Sequence, residues 1–210
     1  MEELDLLKKD WKRNENTFDQ VSEKDIYLML HRKSSSIVKW ILIISILELL
    51  LWTIISLLGN ADEYLNRIQN DSIVFCFRAF NYFHYGVIIC LIYLFYRNYQ
   101  RISTTASTRE LMKNILQTRK TVQFYVWYNL AMMAISLVLG FIANIMYNPE
   151  IHDLVEKSNG NSQFMIGIFI GLTLSVLVIV GLFWLLYRVL YGVLLRKLLA
   201  NYKELKKIDL

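Results

Sequence analysis

The stretch HRKSSSIVKWILIISILELLLWTIISLL, residues 31–58, opens on a basic cluster and runs into an apolar block. From Ile37 to Leu58 there are 22 residues, and only Lys39 and Glu48 among them are charged. As a helix rising about 1.5 Å per residue they reach about 33 Å, enough to cross the hydrocarbon core of a bilayer. The basic residues His31, Arg32, Lys33 and Lys39 mark the end of this span that stays in the cytoplasm. The segment before it is polar, so the span itself is expected to serve as an uncleaved insertion signal.

Outward from that span the same pattern recurs. Residues 73–96, 122–146 and 164–187 are three further apolar blocks, which gives four spans at about 37–58, 73–96, 122–146 and 164–187. The fold class expected is all-α: an integral membrane four-helix bundle with amphipathic cytoplasmic helices at both termini. Its parts are an N-terminal segment, 1–36, a bundle, 37–195, and a C-terminal helix, 196–210. A composition that is 55% hydrophobic with one proline fits that class and not an ordinary soluble domain of 210 residues.

Charge orients the chain. Of the 23 Lys and Arg, 20 fall in residues 1–39, in the loop 97–121 or from Arg188 onward; Arg67, Arg78 and Lys157 are the other 3. With an even number of spans, both termini are placed in the cytoplasm. The basic residues at the membrane surface are Arg32, Lys33, Lys39, Arg97, Arg101, Arg119, Lys120, Arg188, Arg196 and Lys197. Their expected partners are the lipid bilayer and its anionic headgroups. Nucleic acid is not expected, because basic flanks follow from topology alone.

The cytoplasmic segments read as helical. Leu4, Leu7 and Trp11 share one face of a short amphipathic helix. Ser22 followed by Asp25 makes a start signal before Ile26, Met29 and Leu30, and that helix is expected to continue into the first span. Ser34, Ser35 and Ser36 would then lie at the interface, and phosphorylation there is the sharper alternative to a structural role. Ser107 and Glu110 make a capping box, so a long helix is expected to begin there and run unbroken into the third span. Leu194, Leu195, Leu198, Leu199, Tyr202 and Leu205 alternate with basic residues in helical period. This C-terminal stretch is expected to leave the bilayer and lie near its surface.

In LDLLKKDWKR, residues 4–13, and IYLMLHRKSSSIVKWILIISILELLLW, residues 26–52, the chain resembles a family of small, uncharacterised bacterial inner-membrane proteins with four spans. The resemblance implies an inner-membrane location and a four-span fold. That family sometimes carries the label of a carotenoid-cleaving oxygenase. Such enzymes are β-propellers whose iron is held by four histidines, whereas this chain has three, His31, His84 and His152, spread over a cytoplasmic flank, a span and an outer loop. They cannot share one metal, and the label is rejected on that chemistry.

Within the spans, Glu48 stands out. A carboxylate at the bilayer centre costs on the order of 2.5 to 3.5 kcal/mol on insertion scales and needs a partner, a water path or a proton. Glu48 is 11 residues from the inner end of its span and His84 is 11 from the outer end of the next. Antiparallel neighbours bring them to one depth, so a Glu48–His84 pair is expected, with Arg78 as the alternative partner and Asn81 nearby. Such a pair either relays protons or senses pH, or it acts as a polar clasp that locks helix register; a protonated Glu48 donating one hydrogen bond is the remaining alternative.

Gly167, Gly171 and Ser175 in the fourth span, and Ser136, Gly140 and Asn144 in the third, place a small residue at every fourth position. These stripes are expected where spans three and four pack on each other, the alternative being contact with a second copy in a homo-oligomer. Cys76 and Cys90 lie about 21 Å apart on one helix, too far for a disulfide, and are expected to be free and buried. No phosphate-binding glycine loop, HExxH, CxxC pair or nucleophile elbow occurs. No enzyme, metal or cofactor is therefore expected.

Two functions remain in view. One is a noncatalytic membrane anchor or regulator presenting a cytoplasmic surface to a protein partner. The other is an oligomeric small transporter or channel subunit with a midplane polar site around Glu48 and His84.

Overall fold

The computed structural model describes residues 22–59, 71–105, 107–147 and 162–208. They form four helices: α1 (Glu23–Leu58), α2 (Asp71–Thr104), α3 (Thr108–Tyr147) and α4 (Ser162–Ile208). All four are long and apolar enough to cross a membrane. At 34 to 47 residues they run about 50 to 70 Å, well beyond a hydrocarbon core of ~30 Å. The surplus lies at the end where α1 and α3 begin and α2 and α4 finish, here called the basic end.

Local chemistry sets the boundaries there. Ser22 caps α1, accepting the Asp25 amide at 3.2 Å while its hydroxyl donates to the Asp25 carboxylate at 2.7 Å. The Ser107 carbonyl accepts the Leu111 amide at 2.9 Å and starts α3. At the end of α2, the hydroxyls of Ser103, Thr104 and Thr105 bond back to the carbonyls of Gln100 and Arg101, competing with helix continuation.

The helices pack in cyclic order, α1 on α2, α2 on α3, α3 on α4 and α4 on α1. Two cores lie along the axis. At the basic end Leu30, Val38, Ile102, Leu111, Ile115, Leu198 and Leu205 are buried together. Further along, Ile41, Ile88, Leu91, Phe95, Val122, Tyr125, Leu130, Tyr187 and Tyr191 make the second. Polar layers accompany the first core: Asn201 donates to fully buried Ser34 at 3.0 Å, and Asn114 donates to Thr105 at 3.0 Å. Each such pair satisfies two groups that would otherwise be costly to bury, and it works only in one helix register.

Beyond the second core the packing changes. Among the described residues of 49–58, 71–87, 133–147 and 163–186, only Ala143 is buried. Large apolar side chains face outward there instead, with Leu58 79% and Phe75 72% exposed. A belt of this size has no place on a water-facing surface, and it suits a hydrocarbon environment.

Several expectations are corrected by this packing. The C-terminal stretch does not separate from the fourth span: α4 is one helix to Ile208, and Leu198, Asn201 and Leu205 bury their stripe in the bundle. Its periodicity is amphipathic because a neighbouring helix covers one side. The helix expected to start at Ser22 does continue into the first span, so residues 23–36 belong to α1 and contribute Leu30 to the basic-end core. Gly140, Gly167 and Gly171 do not mark a close approach, since a methyl group added at any of them would meet nothing within 4 Å. Spans three and four meet chiefly toward the basic end, so Ser136 is left exposed and Asn144 and Ser175 half-buried. Cys76 and Cys90 are free but exposed, because they lie on the outward side of α2. Leu4, Leu7 and Trp11, expected on one face of an amphipathic helix, and His152, expected in an outer loop, lie outside the described residues.

Candidate functional site

Glu48 is half-buried on α1, level with the second core, and three tyrosine hydroxyls converge on it. Tyr125 of α3 donates to Oε2 at 2.8 Å, Tyr191 of α4 donates to the same oxygen at 3.2 Å, and Tyr187 of α4 donates to Oε1. Tyr187 and Tyr191 are four residues apart, one turn along a single helical stripe, which is why both reach one carboxylate. Their rings pack into the core: Tyr125 meets Phe95 edge-on at 5.3 Å and Tyr191 at 5.8 Å. The carboxylate is thus tied to α3 and α4 by phenols whose rings the aromatic core already holds in place.

The expected Glu48–His84 bond is replaced by this arrangement. His84 stacks on Tyr128, with ring centroids 5.7 Å apart and Nδ1 3.4 Å from the Tyr128 hydroxyl. Phenols from α3 and α4 occupy the carboxylate, while a phenol one turn further along α3 takes the imidazole. Glu48 and His84 nevertheless share one cavity of about 240 Å³, whose wall includes Asn81, Tyr85, Trp52 and Asn129. Arg78, exposed and six residues from His84, lies outside that wall. A second cavity of about 360 Å³ adjoins it, sharing Trp52, His84 and Asn129 and reaching Phe183 and Tyr187. Trp52 and Phe183 pack at 5.6 Å beside both.

The chamber has a definite floor. Ile88 and Tyr125 belong both to its wall and to the second core, and Leu91, Phe95, Val122 and Tyr191 of that core are each buried. Toward the opposite end the helices bury almost nothing between them.

Sequence reasoning missed the three tyrosines. The available signal was the pair Tyr187 and Tyr191 in LLYRVLYGVLL, a turn apart inside an apolar segment, where unpartnered hydroxyls are costly. Read singly, tyrosines near a span end look like interfacial anchors.

At the basic end, Arg32, Lys33, Lys39, Arg97, Lys120, Arg188, Arg196 and Lys197 are exposed, and Arg101 and Arg119 half-buried. Tyr27 of α1 donates to the Thr105 carbonyl at 2.9 Å. Burial first, and the nearby Glu110 carboxylate second, raise its hydroxyl above the ordinary tyrosine value. Among the described residues, no three of His, Cys, Asp and Glu come together as a metal site.

A family described as a domain of unknown function, DUF8845, matches residues 24–210. No curated protein and no solved structure matches the chain.

Proposed function

We propose that this chain, which belongs to the DUF8845 family, is a noncatalytic multi-pass regulator of the bacterial inner membrane, with both termini in the cytoplasm. Its chamber around Glu48 receives a ligand, and its basic-end stalk presents a surface to a cytoplasmic protein. The observation that carries this reading is continuity: α1, α2, α3 and α4 each run unbroken from the chamber wall into the stalk. A change in how Glu48 is held by α3 and α4 is therefore coupled mechanically to the stalk. The 20-to-3 distribution of Lys and Arg supports the orientation.

The buried floor favours a receptor over a pathway. A transporter needs access from both sides, and the core from Ile41 to Tyr191 blocks one. Photo-crosslinkers placed in cells at exposed stalk positions Lys113, Gln117 and Lys203 test the reading. A discrete protein adduct at the stalk, absent from lipid-belt positions such as Ile89, is the expected result. The transporter reading replaces it if no stalk adduct forms and reconstituted protein supports a flux that Glu48→Ala abolishes.

A further inference from the structure

We propose that the chamber binds a small organic cation, an alkylammonium group held between the Glu48 carboxylate and the aromatic faces of Trp52 and Tyr85. The inference rests on reading the chamber as the regulator's ligand site, and it names the ligand class.

Charge inventory carries it. Among the described residues, Glu48 is the one carboxylate in the wall of the smaller cavity, and no Lys or Arg lines either cavity. Its three hydroxyl partners orient the carboxylate and fill three of its roughly four lone-pair sites, but hydroxyls bring no opposite charge. A charge withdrawn from water is stabilised by a counter-charge in the same low-dielectric space. An anionic ligand is repelled there, and a neutral one leaves the charge uncompensated.

The walls select which cation. Trp52 and Tyr85 line the cavity, and the negative quadrupole of an aromatic face attracts weakly hydrated ammonium groups. A bare metal ion instead requires several free oxygen ligands, and here both carboxylate oxygens already accept from tyrosines. Together the adjoining cavities, about 240 and about 360 Å³, fall within the range of about 300 to 1,000 Å³ typical of small-molecule sites. Asn81 and Asn129 add amide groups at the rim for a polar substituent on the ligand.

The probes are choline and its neutral carbon isostere, 3,3-dimethylbutan-1-ol, which differ in charge and hardly in shape. Full-length protein in a non-ionic detergent is dialysed to equilibrium against radiolabelled choline. Saturable binding is expected, displaced by tetramethylammonium and not by the isostere. Glu48→Gln, which keeps an oxygen acceptor for the tyrosines, lowers affinity by tenfold or more, and Trp52→Leu lowers it by about tenfold. The proposal is overturned by non-saturable choline binding, by equal displacement with the isostere, or by unchanged affinity in Glu48→Gln. Should that variant unfold, unchanged affinity in Trp52→Leu overturns it instead. The two readings fail separately: stalk adducts without choline binding reject only the cation, and choline binding without adducts rejects only the regulator.

Discussion

The Tyr125 hydroxyl donates to Glu48 Oε2 across 2.8 Å, joining α3 to α1 at the floor of the chamber. Both partners sit at a level where the helices pack on one side and stand apart on the other, so this bond and those from Tyr187 and Tyr191 define the site's lower edge. Hydrogen bonds to charged groups contribute about 1.5 to 3 kcal/mol each. Tyr125→Phe is expected to lower stability by about that amount, measured by unfolding in detergent, and Tyr191→Phe, whose bond is 3.2 Å long, by less.

Glu48 separates two kinds of loss. Glu48→Ala leaves three buried hydroxyls without their acceptor, at about 1 to 3 kcal/mol each before relaxation. Glu48→Gln keeps the shape and one of the two acceptor oxygens, and its NH2 can donate to a tyrosine hydroxyl that turns to accept, so its melting temperature is expected to stay closer to that of the parent while that of Glu48→Ala falls sharply. Equal loss in both variants would show that the charge itself holds the bundle together.

In the stalk, Asn201 and Ser34 form a buried pair across α4 and α1. Either Asn201→Ala or Ser34→Ala is expected to cost about 1 to 2 kcal/mol by leaving one group unsatisfied. The double variant should cost less than the sum of the singles, and a double-mutant cycle in detergent measures the difference.

The glycine stripes yield a prediction of opposite sign. Added methyl groups at Gly140, Gly167 and Gly171 meet nothing within 4 Å. Alanine at each position is therefore expected to stabilise its helix by about 0.5 to 1 kcal/mol through reduced backbone entropy. Destabilisation by Gly171→Ala in thermal melts would place a second copy of the chain against that face.

Tyr27 gives a pH dependence. Its raised folded-state value means that the hydroxyl's contribution is complete below the unfolded value near 10 and fades as pH rises through the folded one. The melting-temperature difference between the parent and Tyr27→Phe is expected to be constant up to about pH 9 and to shrink in more alkaline buffer.

The sequence made the rods legible and left their rotation obscure. Ile37 to Leu58 is apolar over a bilayer's thickness whatever surrounds it, and Ser22 caps α1 through the amide of Asp25 three residues away. Hydropathy and capping are local properties. The partners of Glu48 are not, because they depend on how α3 and α4 turn about their axes. Depth along the chain placed His84 level with Glu48, and the two line one cavity, but three tyrosines with longer reach hold the carboxylate. The stripe ending in Leu205 shows the same gap: its period says that one side is covered, and only packing says that α1 and α3, not lipid headgroups, cover it.

Orientation underlies the chamber, the stalk and the regulator reading together, and reporter fusions test it most directly. A fluorescent protein that folds only in the cytoplasm and a phosphatase active only in the periplasm are each joined after Leu210 and after Gly59. Fluorescence without phosphatase activity after Leu210, and the reverse after Gly59, is the predicted result. Phosphatase activity after Leu210 would contradict it, placing the stalk outside the cell and removing the cytoplasmic surface on which the proposed function depends.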